Sequence, residues 1–154
     1  MKKLMIREIT LALAVLAGCI SAWGQEPEGR EERAAEQARQ MFESIDKEVE
    51  KQTERLELAD WQVFKLDSML THDFKAQTEE MERMSAAKVT NLNMYIQVQD
   101  KWAEAIYQGY RSFLNDEQWA KYEKQGAAKA KKSRDKRAAK AVADAEKLKA
   151  KLNK

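Results

Sequence analysis

From Glu31 onward the chain mixes apolar and polar residues with a helical period. Ala38, Phe42, Ile45, Val49, Gln52 and Leu56 recur at alternating steps of four and three, which sets them on one stripe of an amphipathic helix whose only polar member is Gln52. The pattern predicts a helix of about 25 residues, roughly 38 Å long. A second run starts at Asp60, where Val63, Leu66, Leu70, Phe74, Gln77, Met81 and Met84 share a side and Trp61, Phe64 and Met69 widen it. The period breaks between Ser85 and Asn93, a turn in which Thr90, Asn91 and Asn93 all suit a helix N-cap. The third helix carries Tyr95, Val98, Trp102, Ala105, Ile106, Gly109, Tyr110 and Phe113. Gly109 costs about 1 kcal/mol relative to Ala in a helix interior, so it marks close packing or a bend. A fourth helix opens at Asp116 and runs to about Gln125, with Gly126 as its C′ stop.

Two of these helix starts are versions of one another. Leu58-Ala59-Asp60-Trp61-Gln62 and Leu114-Asn115-Asp116-Glu117-Gln118 carry Leu, Asp and Gln at the same offsets, 56 residues apart, and Lys65 and Lys121 follow in register. In the second copy Asn115 is an N-cap, Gln118 at N3 reaches back to the cap N–H, and Leu114 packs on Trp119 as a hydrophobic staple. The first copy keeps the staple (Leu58 with Val63) and the glutamine (Gln62), but Ala59 stands where the capping side chain belongs. A paired start at this spacing predicts two related helical hairpins. The expected fold is all-α: four helices in two α-hairpins over residues 31–125, followed by a distinct C-terminal segment.

Composition changes the picture at both ends. Residues 1–24 read as an export signal, with Lys2, Lys3 and Arg7 ahead of an apolar run from Ile9 to Ile20 and a small-x-small cleavage site at Ala22-Trp23-Gly24. Leu16-Ala17-Gly18-Cys19 also has the form of a lipobox, which would end the signal at residue 18 and lipidate Cys19. Both processing routes stay open, and neither leaves a free thiol, which suits an oxidising envelope compartment. Residues 25–30 form a polar leader. Past Gly126 the chain turns to Ala and Lys without aromatics. Ala138, Ala141, Ala145, Leu148 and Leu152 keep a helical spacing there, which suits a lone helix with a narrow stripe and equally a disordered tail. Charge divides at the same place. Residues 25–125 hold 14 Lys and Arg against 22 Asp and Glu, a net of −8, whereas residues 126–154 hold 11 against 3, a net of +8.

Candidate chemistry is sparse. His72 is the only histidine, no Gly-x-Ser-x-Gly elbow occurs, and no glycine-rich phosphate loop occurs. His72 beside Asp73 reads as a partly exposed residue on a polar face, since neighbours on a helix point about 100° apart. Around His72 a metal would meet Ser68, Met69, Lys75, Ala76 and Glu79, a poor ligand set. No catalytic residue, metal ligand or cofactor is therefore expected. Trp61, Trp102 and Trp119 are expected in the core, and Met69, Met81, Met84 and Met94 as gap fillers there. Export argues against nucleic acid as the target of the basic tail. An anionic envelope surface, an acidic partner or the acidic body itself fits better.

The paired Leu-x-x-x-Gln helix starts on a small exported helical chain resemble the Spy/CpxP group of periplasmic proteins, whose signature is a twice-occurring Leu-Thr-x-x-Gln. The likeness covers about residues 35–125 and rests on Leu58, Gln62, Leu114 and Gln118, with Ala59 and Asn115 replacing the threonine. It implies two hairpins that pair into a cradle-shaped homodimer, a periplasmic location, and ATP-independent binding of unfolded or assembling envelope proteins. It identifies no client-binding residue. The competing expectation is a non-catalytic structural or regulatory module, anchored through Cys19, with the tail docked on an anionic surface.

Overall fold

The computed structural model describes residues 28–152, so the export signal, the lipobox and Cys19 lie outside the described residues. The order is α1 (Glu28–Leu56), α2 (Asp60–Ala86), α3 (Leu92–Phe113), α4 (Asp116–Tyr122), a kinked link (Glu123–Ala127) and α5 (Ala128–Leu152). The fold is all-α, with no strand among the described residues. α1 begins at Glu28, inside the stretch read as a leader. α2 packs on α1 and α3, α4 on α1, and α5 on α3.

Each helix end has a local cause. α1 stops where Glu57 takes a left-handed φ of 54°, and Leu58 N–H then donates to Thr53 O at 3.1 Å, closing a Schellman turn. α2 ends the same way. Lys88 has φ 55°, and Val89 N–H donates to Met84 O at 3.0 Å. Of the three expected caps for α3, Asn91 takes the role, accepting from Asn93 N–H at 3.0 Å. Gly126 does interrupt the last helix, with φ 112°. The interruption turns the chain rather than ending it, and the basic segment continues as the 25-residue helix α5.

The core gathers at the end of the molecule where the two hairpin starts meet. Ile45, Leu56, Leu58, Leu66, Leu70, Tyr110, Phe113 and Leu114 are buried together, with Val49, Val63, Phe74, Ile106, Trp119 and Tyr122 packed against them. Leu58, Val63, Leu114 and Trp119, the four staple residues, all belong to this cluster. Tyr110 stacks on Tyr122 with ring centroids 4.2 Å apart, and Trp119 meets Tyr107 edge-on at 4.9 Å. Gly109 marks close packing: a Cβ there would sit 2.0 Å from Met69 Sδ. Toward the other end α2 and α3 are pinned by Glu80, which accepts from Trp102 Nε1 and Lys101 Nζ at 2.7 Å each.

Three expectations fail in the packing. The α1 stripe does not stay buried to its start, since Ala38 is exposed and Phe42 is 46% exposed. Trp61 is not a core residue: it is 62% exposed, and Phe64 is 74% exposed. Met94 also faces water rather than filling a gap. Trp61 and Phe64 face out because of the register of α2, whose buried positions Gln62, Leu66, Leu70, Asp73 and Gln77 turn residues 61 and 64 outward.

Candidate functional site

The repeated motif builds a buried junction between the hairpins. Gln62 and Gln118, 5% and 8% exposed, face each other and exchange amides. Gln62 Nε2 donates to Gln118 Oε1 at 2.8 Å, and Gln118 Nε2 donates back to Gln62 Oε1 at 3.1 Å. Each carbonyl also accepts from its own cap, Ala59 N–H at 3.0 Å and Asn115 N–H at 3.2 Å. Each amino group reaches the end of the helix before the other motif. Gln62 donates to Phe113 O at 2.9 Å, and Gln118 donates to Leu56 O at 3.2 Å. Two buried amides thus cap two helix starts, satisfy two helix C-termini and join the hairpins, which leaves no gap in their hydrogen bonding. Asn115 accepts from Gln118 N–H at 2.9 Å and completes the second box. Ala59 has no acceptor in its side chain, so the first box is half made.

All the motif residues therefore come together, Leu58 and Leu114 in the core and Gln62, Asn115 and Gln118 at the junction. The motif does more than start helices, because each glutamine is the other's partner.

Beside the junction an open cleft of about 240 Å³ runs between α1 and α5. Leu70, Phe74, Ile106 and Tyr110 form an apolar floor, with Gln52 on one wall and Arg134 on the other. Gln52, the polar member of the α1 stripe, is 4% exposed. It donates to Glu48 at 2.7 Å while its Oε1 has no partner. Burial raises the Tyr110 phenol well above its ordinary pKa and raises Tyr122 likewise, so both stay protonated at neutral pH. A separate apolar surface lies outside the cleft, where Trp61 and Phe64 project from one side of α2, three residues apart.

His72 does reach Asp73, with Nδ1 2.8 Å from Oδ1, even though the two are adjacent on the helix. The His72 ring is exposed while the Asp73 side chain is 11% exposed. No nucleophile accompanies the pair in its hydrogen bonding. Among the described residues no group of three or more His, Cys, Asp or Glu is placed to hold a metal ion, and no helix is long and apolar enough to cross a membrane. No protein-family model, curated protein or solved structure matches this chain.

Proposed function

We propose that this chain is an exported, ATP-independent binding protein that holds partly unfolded or assembling polypeptides in the periplasm, without covalent chemistry or a cofactor. The observation that carries the reading is the pair Trp61 and Phe64, 62% and 74% exposed on one side of α2. Two large aromatics in water on a helix fixed at its N-terminus by the glutamine junction form a rigid apolar surface, the kind that marks an interaction site. Exposed Phe42, Leu92 and Met94 add apolar area elsewhere on the body, and the net charge of −8 over residues 25–125 opposes self-association of the unloaded protein. The paired motif and its resemblance to the Spy/CpxP group support the same reading, and a homodimer would follow from that likeness.

The test is light scattering of a denatured client diluted into buffer with the purified protein. Suppression is expected near stoichiometric ratios, and Trp61→Ser/Phe64→Ser is expected to lose most of it while keeping the helical spectrum. No suppression at excess protein would overturn the reading. A second reading has one observation of its own: α5 is a long basic helix with no buried residue, suited to an anionic envelope surface, with Cys19 as a lipid anchor. Salt-sensitive binding to anionic vesicles, with no effect on client scattering, would favour it.

A further inference from the structure

α5 is attached to the body in an unusual way. It spans 25 residues and buries none of them. Its contacts with α3 are charged. Arg134 and Lys131 meet Glu104 at 3.1 and 3.3 Å, and Arg137 makes a two-pronged pair with Asp100. Both Arg134 and Lys131 also lie over the Tyr107 ring, 5.7 and 6.0 Å from its centroid. Asp100, Glu104 and Tyr107 occupy consecutive turns of one α3 face, and Lys131, Arg134 and Arg137 do the same on α5. The α3 face is thus a built receptor for a helix with a cation on each turn.

The fit of α5 to it is incomplete. A space of about 930 Å³ stays open between the two helices; its rim is polar and charged, and its apolar lining is Ile96 on the α3 side and Ala138 and Ala141 on the α5 side. Arg134 Nε is buried there without a hydrogen-bond partner. The link to the body is the kink at Gly126, with φ 112°.

We propose that the Asp100–Glu104–Tyr107 face of α3 is a docking surface for Lys/Arg-rich amphipathic helical segments of other polypeptides, and that α5 is its internal occupant. Charge complementarity selects the class, because the surface offers two carboxylates and an aromatic face to cations one turn apart. The open space selects within the class. A segment with large apolar side chains where α5 carries Ala138 and Ala141 fills what α5 leaves empty, and so displaces it. The surface is separate from the Trp61–Phe64 side, so aggregation suppression can fail without touching this inference, and the reverse holds too.

The experiment titrates the full-length protein, at low ionic strength, with a fluorescent peptide of residues 128–152. It also uses the same peptide carrying Ala138→Leu and Ala141→Leu. The filled peptide is expected to bind about tenfold tighter than the native one, since leucines add buried apolar area. Releasing α5 with Lys131→Gln/Arg134→Gln/Arg137→Gln in the protein removes the internal competitor and is expected to tighten both peptides about tenfold, as three partly exposed ion pairs are each worth a factor of a few. The hairpins should stay folded in that variant, because no α5 residue belongs to the core cluster, and circular dichroism checks this. Adding Asp100→Asn/Glu104→Gln should abolish the gain, as should raising the salt. Equal binding of the two peptides, or a gain that survives loss of the two carboxylates, would overturn the proposal.

Discussion

At the scale of single residues the structure turns on Gln62 and Gln118. Removing either amide strands several buried groups at once. Gln118→Ala takes the side-chain partner from Leu56 O and Asn115 N–H and removes one of the two bonds at each end of the Gln62 amide, a loss of about 2–4 kcal/mol in denaturant unfolding. Because the two side chains act as one unit, Gln62→Ala/Gln118→Ala should cost at least about 1 kcal/mol less than the sum of the singles. Strict additivity would mean that the amides stabilise their helix starts separately. Ala59 offers the opposite test. It sits extended at the N-cap with no side-chain bond, so Ala59→Thr should complete the first box and raise stability by about 1 kcal/mol, read as an upward shift in melting temperature. The sequence carried part of this junction: the two leucines, the two glutamines and the missing cap were all visible in it. That the glutamines bond each other was not, because an offset within a helix start says nothing about what lies across the core from it.

At the scale of elements, periodicity located α1 to α4, and the residues between them defined the turns. What it missed follows from its limits. A stripe states which residues could be buried, while the register of the partner helix decides which are. Trp61 and Phe64 lost that competition to Gln62 and Leu66. Positive φ at Glu57 and Lys88 was equally hidden, since neither residue is Gly or Asn. Lys88→Gly should relieve the left-handed strain after α2 and stabilise the protein by about 1 kcal/mol, measured by thermal melting. The docking of α5 was illegible for another reason: ion pairs leave no apolar period. They do leave a pH signature. Burial pushes the Glu104 carboxyl up, but hydrogen bonds from Gln108, Arg134 and Lys131 outweigh it and hold it below its usual pKa. A depressed carboxylate contributes stability that is fully present above the unfolded value, about 4.3 for Glu, and is lost as pH falls through the folded one. Hydrogen exchange of α5 should therefore accelerate relative to α2 below about pH 4, and Glu104→Gln should produce the same loosening at neutral pH.

At the scale of the whole molecule, the chain divides its charge and its apolar surface between different places. The core is confined to the junction end, the net positive charge to α5, and the exposed aromatic pair to the start of α2. A junction with all its amide bonds made gives that pair a rigid base, and rigidity matters because a floppy apolar patch would associate with itself. The fold class could be read from the pattern of the chain. The place of the apolar surface could not, because a sequence shows that a tryptophan is present without showing that no neighbour covers it. The most direct test of the proposed function is to find where a client touches the protein. A benzophenone side chain placed at position 64, and in a second protein at position 136 on α5, would be photolysed with an aggregating client. The account predicts a strong crosslink from position 64 that an excess of unlabelled client competes away, and little from position 136. No crosslink at 64, or equal yields at the two positions, would contradict it.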